Sequence, residues 1–195
     1  MKTVSRVYDS YGQAREAVRA VEAAGVPSSE VSLIANKHVS AAHADVNEVS
    51  DTAKGAGIGG ALGGGAGLLA GLGLLAIPGL GPVVAAGWLA STAAVAAAGA
   101  AAGGIVGALV DAGEPAEHAN VYSESVRRGG TLVTARVAEQ DVARIQEVLD
   151  RYKPIDPAMR GAEYRKEGWK TFDPKAPPYK PNQAELERIR RDWAA

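Results

Sequence analysis

The sequence predicts an α+β protein: a small ferredoxin-like domain of order βαβ…αβα, a glycine- and alanine-rich helical hairpin inserted into it, and an extended C-terminal arm. Three observations support this prediction. Strand-like and helix-like patterns alternate in both flanks of the 195-residue chain, residues 55–110 contain no Asp, Glu, Lys, Arg or His, and prolines recur after residue 153. Strands that alternate with helices in a short chain are typical of a small α+β sandwich.

The first flank, residues 1–36, has the pattern of a strand, a helix and a second strand. Residues 3–8 form a short β-type run, and Ser10 with Gln13 has the spacing of a helix capping box. Gly25 is positioned to end that helix, and residues 31–35 form the second strand. The apolar positions of the helix follow helical spacing: Ala14, Ala17, Val18, Val21 and Ala24. We interpret residues 37–54 as a linker.

The second flank, residues 114–153, has the pattern of a helix, a strand and a helix. Pro115 lies where the first helix would begin, and Gly129-Gly130 lies where it would end. Residues 131–137 are strand-like, and the helix that follows has one apolar stripe: Val142, Ile145, Leu149 and Tyr152. Neither flank has enough strands for a sheet, so we expect 1–36 and 114–153 to form one domain.

Residues 154–195 are rich in proline and charge, and we interpret them as an extended arm. The arm is predicted to end in an amphipathic helix, because Asn182 and Glu185 have capping spacing and an apolar side follows: Leu186, Ile189 and Trp193.

Residues 55–112, which include the charge-free segment 55–110, are predicted to form a helical hairpin. Glycine recurs at every fourth position, which lines one face of a helix and lets a second backbone approach closely. A helix-packing interface is therefore predicted at Gly55, Gly59, Gly63, Gly67, Gly71, Gly99, Gly103 and Gly107. The turn between the helices is predicted at Pro78, Gly79, Gly81 and Pro82.

The lengths of the two helices predict that the hairpin crosses a membrane. Residues 58–77 would span about 30 Å, which matches a bilayer core, and residues 83–110 are long enough to return. The first residues lack the apolar run of a signal peptide, so both termini are expected in the cytoplasm. In the alternative, the hairpin is buried inside a cytoplasmic protein assembly, because its many glycines weaken both helix formation and insertion.

Three basic residues near the hairpin are candidates for contact with lipid headgroups: Lys54, Arg127 and Arg128. The two arginines also stand at the end of a predicted helix, where positive charge complements the helix dipole. The sequence leaves both roles open, with capping favoured.

Neither composition nor motifs indicate catalysis. The absence of cysteine excludes disulfides and Cys-based metal sites, and a net charge of −1 provides no field that would attract nucleic acid. Residues 55–60 match GxGxxG, but no hydrophobic strand precedes them and no acidic residue follows at the distance that a dinucleotide site requires. His38, His43 and His118 show no ligand pattern. We therefore predict no catalytic, cofactor-binding or metal-binding residues.

Several segments carry a family resemblance when taken together. They are the Val7-Tyr8-Asp9-Ser10 start, the turn Ile77-Pro78-Gly79-Leu80-Gly81-Pro82, the run Arg127-Arg128-Gly129-Gly130-Thr131-Leu132-Val133, and the tail Ala162-Glu163-Tyr164-Arg165-Lys166-Glu167-Gly168-Trp169. With the intervening glycine zipper, they resemble the YflT-like heat-induced (general) stress protein family. The resemblance implies a bacterial stress-associated protein and carries no established reaction.

We therefore expect a non-enzymatic, stress-associated membrane protein whose hairpins assemble into a homo-oligomer with a structural or scaffold role. The expected partners are other copies of the chain and membrane lipids, without nucleic acid, and no small-molecule ligand is assigned. Two alternatives stay open. One is a soluble self-assembling particle with the hairpin inside, and the other is a small-ligand sensor domain tethered to the membrane, which rests on fold analogy.

Overall fold

The computed structural model of this chain describes residues 1–36, 73–77, 80–89, 104–176 and 187. These residues form a five-stranded antiparallel sheet with helices on both faces. The elements in chain order are β1 (Lys2–Tyr8), α1 (Tyr11–Ala23), β2 (Val31–Asn36), β3 (Gly73–Ile77), β4 (Gly81–Ala86), α2 (Gly104–Asp111), α3 (Ala116–Arg127), β5 (Thr131–Val137), α4 (Val142–Asp150) and α5 (Pro157–Lys166). Short 3₁₀ turns at Ser28–Glu30 and Glu139–Asp141 precede β2 and α4.

The strand order is β1-β5-β2-β4-β3, and each neighbouring pair is antiparallel. Strand β5 from the second flank therefore lies between β1 and β2 from the first flank, so the two flanks share one sheet. β1 and β2 run parallel on either side of β5, with α1 as their crossover. The α+β class is confirmed, whereas the ferredoxin-like order is not reproduced, because no strand follows α4 to pair beside β1 in the described part of the chain.

Alternating side chains of the strands divide the core into two layers. On one face, α1 and α4 cover Val4, Leu33 and Val133. On the other face, α2 and α3 cover Val7, Ile34 and Leu132. Two residues of α1, Ala14 and Ala17, are fully buried, and their small side chains let the helix lie close to the sheet.

The predicted helical hairpin is wrong in its central part, whereas the last residues of its second helix do form a helix, α2. Residues 73–77 and 81–86 are strands β3 and β4, which pair with each other from Ile77↔Gly81 to Gly73↔Ala85. Strand β4 also pairs with β2, which supplies partners for the main-chain groups on that side of β2. A short apolar run has no periodicity that separates a strand from a buried helix, so the pairing with β2 decides its structure.

The predicted turn residues are only partly described. Gly81 and Pro82 lie in β4, not in a turn between helices, and Pro82 is in register with Ala76. Pro78 and Gly79 lie outside the described residues. Of the two predicted helices, the described part contains only α2, Gly104–Asp111.

No helix in the described ranges is both long and apolar enough to span a bilayer. The longest of them, α1, has 13 residues, whereas a crossing needs about 20. Residues 55–72 and 90–103, which carry most of the two predicted spans, lie outside those ranges, as does the predicted linker 37–54.

The predicted extended arm begins instead with a helix. Asp156 caps α5 by accepting a hydrogen bond from the Met159 amide at 2.8 Å, and Pro157 occupies the first turn. Proline is favoured there because its missing N–H would have no helical partner. One of the prolines on which the prediction of an extended arm rests, Pro157, therefore marks the start of a helix. The predicted terminal helix at 182–195 lies outside the described residues except for position 187.

Candidate functional site

The far edge of the sheet is formed by the described part of the charge-free segment. In the described ranges β3 pairs only with β4, and neither strand contains a charged residue. The segment leaves this edge through a tight contact at Gly87, whose φ is +88° and whose added Cβ would overlap the Val31 carbonyl oxygen. The Leu89 amide then donates to Ser32 Oγ at 2.9 Å. These contacts fix the end of β4 against β2.

Of the eight glycines predicted to form a helix-packing interface, the structure describes one. Gly107 lies in α2, and a Cβ built on it would meet no atom within 4 Å outside its own helix turn. No close backbone contact therefore uses Gly107 in the described part of the chain. The other members lie outside the described residues: Gly55, Gly59, Gly63, Gly67, Gly71, Gly99 and Gly103.

Both arginines predicted to contact lipid are held by a buried carboxylate. Glu124, whose side chain is 1% exposed, accepts hydrogen bonds from Arg127 Nε at 2.9 Å and Nη2 at 2.6 Å, and from Arg128 Nε at 2.7 Å. Arg128 Nη1 also donates to Glu167 at 2.5 Å. The structure thus gives both guanidinium groups intramolecular partners at the end of α3, and Lys54 lies outside the described residues. We did not single out Glu124 from the sequence, although its (i, i+3) and (i, i+4) spacing to the arginines is a signal for such pairs.

Helix α5 is attached to α3 through aromatic and polar contacts. Tyr164 is 6% exposed, and its hydroxyl lies 3.1 Å from Ser125 Oγ, within hydrogen-bond distance. The Arg128 guanidinium stacks on the Tyr164 ring, 4.2 Å from the ring centre. Trp169 meets the Tyr164 ring edge-on at 5.7 Å. Farther along, the Phe172 amide donates to Asn120 Oδ1 at 3.1 Å. The tail residues Trp169 and Phe172 thus contact their own domain.

At the opposite edge of the sheet, a groove of about 580 Å³ lies along β1. Its walls come from α3 on one side and from α4 on the other, and the segment before α5 closes one end. The lining includes three carboxylates, Glu114, Asp150 and Asp156. Asp150 is paired with Arg6, with Nε to Oδ1 at 2.6 Å and Nη2 to Oδ2 at 3.3 Å. No sequence pattern pointed to this groove, because its residues come from four separate elements.

The floor of the groove contains a buried hydroxyl without a partner. Ser5 is 0% exposed, and among the described residues its Oγ has no hydrogen-bond partner. Thr134, which is opposite Ser5 in the register, is also fully buried, and its Oγ1 has no hydrogen-bond partner among the described residues. Tyr122 also lines the groove, and burial, together with the charge of Glu114, raises its pKa to about 12, so its hydroxyl stays protonated at neutral pH.

Of the three histidines and the GxGxxG match, the structure describes only His118. Within the ranges that the structure describes, no group of three or more His, Cys, Asp or Glu side chains could hold a metal ion. His118 lines the groove, while His38, His43 and the GxGxxG match at 55–60 lie outside those ranges.

Comparison with known proteins does not assign the chain to a family. No protein-family model, no curated protein and no solved structure matches it. The resemblance to YflT-like general stress proteins therefore rests on the sequence motifs alone.

Proposed function

We propose that this chain is a non-enzymatic structural protein that assembles with copies of itself through its charge-free segment, as a stress-associated scaffold. The observation that carries the proposal is the composition of the sheet edge. Strand β3, Gly73–Ile77, is an edge strand without charge or proline in the described part of the chain. Natural edge strands usually carry charges, proline or bulges that prevent pairing with another chain. An edge that lacks them favours pairing with a second copy.

The rest of the described domain supports a structural role. The buried Glu124 carboxylate pairs with Arg127 and Arg128, and Arg128 also pairs with Glu167 at the end of α5, so this cluster holds α3 to α5. The ion pairs Arg6–Asp150 and Arg160–Asp9 likewise join separate elements.

Sedimentation velocity of the full chain at micromolar concentration tests the assembly. We expect an oligomer for the wild type and a shift toward monomer for Leu74→Lys, because a lysine in β3 places charge at the pairing edge. Met159→Lys is the control, since Met159 is exposed on α5 and lies outside the charge-free segment, and it should leave the oligomer intact. Circular dichroism shows whether each variant is folded. A monomeric wild type would refute the proposal regardless of the variants.

Membrane association is a second candidate, favoured by the uncharged run of residues 55–110. It predicts that the protein stays with the membrane fraction after carbonate extraction. Complete release by carbonate would contradict membrane insertion and leave a self-assembling particle as the form of the scaffold. The sensor alternative predicts instead a small molecule that shifts the melting temperature.

A further inference from the structure

The exposed edge of β1 offers unpaired main-chain groups for another strand. The Val7 carbonyl accepts a hydrogen bond from the Ile155 amide at 2.8 Å, so the main-chain N–H and C=O of Val7 point away from β5. Because main-chain groups alternate along an antiparallel strand, Thr3 and Ser5 point the same way. The Ser5 carbonyl takes a hydrogen bond from Arg6 Nη1 at 2.9 Å. Beyond the β1–β5 pairing, no main-chain hydrogen bond reaches the Thr3 N–H or C=O or the Ser5 N–H from another described residue.

The chain approaches this position after α4 and does not fill it. Ile155 makes one hydrogen bond to β1, but Pro154 before it lacks an N–H, and Pro157 after it begins α5. The pairing therefore stops after one bond. The part of the edge at Thr3 and Ser5 stays open at the floor of the groove.

The groove has the charge and polar groups to hold a cationic side chain. The positive charge of Arg6 balances the negative charge of Asp150. The carboxylates of Glu114 and Asp156 therefore give the groove an excess of negative charge. The Ser5 hydroxyl, fully buried and without a partner in the described part of the chain, adds a hydrogen-bonding group at the floor. Unsatisfied buried hydroxyls are costly, and a ligand that pairs with this one would recover that cost.

We propose that the groove along β1 binds an extended segment of another polypeptide that carries a lysine or arginine side chain. The segment would add a strand beside Thr3 and Ser5, and its cationic side chain would face Glu114 and Asp156. A second copy of β1 does not fit as well. The edge lies between residues of α3 and α4, so a second copy of β1 would have to bring its own two flanking helices against these.

Fluorescence anisotropy tests the proposal with a labelled peptide of alternating valine and threonine around a central lysine. We expect saturable binding to the full chain, and loss of binding when the lysine is replaced by glutamate or when alternate amides are N-methylated. Thr3→Pro should weaken binding by at least about tenfold, because proline removes an outward N–H that the sheet does not use. Glu114→Lys should weaken it about tenfold, while the exposed control Glu139→Lys changes it less than about twofold.

Hydrogen exchange locates the bound peptide. Peptide should slow amide exchange in residues 1–8 of the wild type, whether or not Thr3→Pro folds. Equal binding of the N-methylated peptide, or protection confined to other residues, would overturn the proposal. Protection of residues 1–8 that grows with protein concentration in the absence of peptide would overturn it in favour of a second copy.

Discussion

At Glu124 a single buried carboxylate holds two guanidinium groups. The side chain is 1% exposed, whereas those of Arg127 and Arg128 are 18% and 26% exposed, so the pairs lie at the boundary of the core and not in water. In such surroundings the loss of one partner is costly because the remaining charges stay partly desolvated. Glu124 thereby joins the end of α3 to Glu167 through Arg128.

We therefore predict that Glu124→Gln lowers the free energy of unfolding by roughly 2–4 kcal/mol in urea titrations. The control is Glu163→Gln, since Glu163 is 61% exposed and pairs with Arg160 at 3.3 Å. That change should cost less than about 1 kcal/mol. Equal effects of the two substitutions would show that burial of Glu124 does not strengthen its ion pairs.

Among the elements, α5 has a distinct position, because it lies outside the sheet and is attached to α3. Its contacts concentrate on Tyr164, which meets Ser125, Arg128 and Trp169. Gly161 provides the close approach, since a Cβ there would lie 3.0 Å from Val121 Cγ2. Because the helix is held mainly by side chains, we expect it to open without disturbing the strand pairing.

For α5 we predict that Tyr164→Ala raises amide exchange across Pro157–Lys166 by at least about tenfold, because local opening no longer breaks the aromatic contacts. Exchange in β1, β2 and β5 should change little. Met159→Ala, at a residue that is 68% exposed on the same helix, serves as the control and should leave exchange unaltered. Uniform acceleration in helix and sheet together would mean that α5 opens only with the whole domain.

At the scale of the molecule, the sheet separates two packed layers that each bury a tyrosine. Tyr8 lies in the layer under α1 and α4, where its hydroxyl donates to the Leu149 carbonyl at 2.9 Å. Tyr122 lies in the layer under α2 and α3. Burial raises the pKa of both phenols, that of Tyr122 from 10.0 to about 12. Both layers therefore respond to alkaline pH in the same direction.

Stability should accordingly fall as pH rises from about 10 to about 12. A raised pKa in the folded state gives stability that is fully present below the unfolded value of 10.0 and is lost as pH rises through the folded value. For Tyr122 the loss amounts to roughly 2 kcal/mol. Urea titrations of the wild type and Tyr122→Phe check this, because the phenylalanine variant should lose less stability across that window. Identical pH profiles would contradict the assignment.

The sequence by itself determined the elements whose pattern is local. The apolar spacing of 14–24 and 142–152, the strand-like runs 3–8, 31–35 and 131–137, and the Gly129-Gly130 stop all correspond to observed elements, because side-chain periodicity is set by each element's own geometry. It also established the charge-free middle of the chain, on which the proposed assembly depends.

Only the tertiary structure decided the features that depend on distant partners. Residues 73–77 and 81–86 are strands because β4 pairs with the open side of β2, which no local pattern in so apolar a run could reveal. Burial of Glu124 and the groove beside Thr3 and Ser5 likewise require α3, α4 and α5 to meet around the sheet. Periodicity records which side of an element is apolar, whereas these features depend on which element covers it.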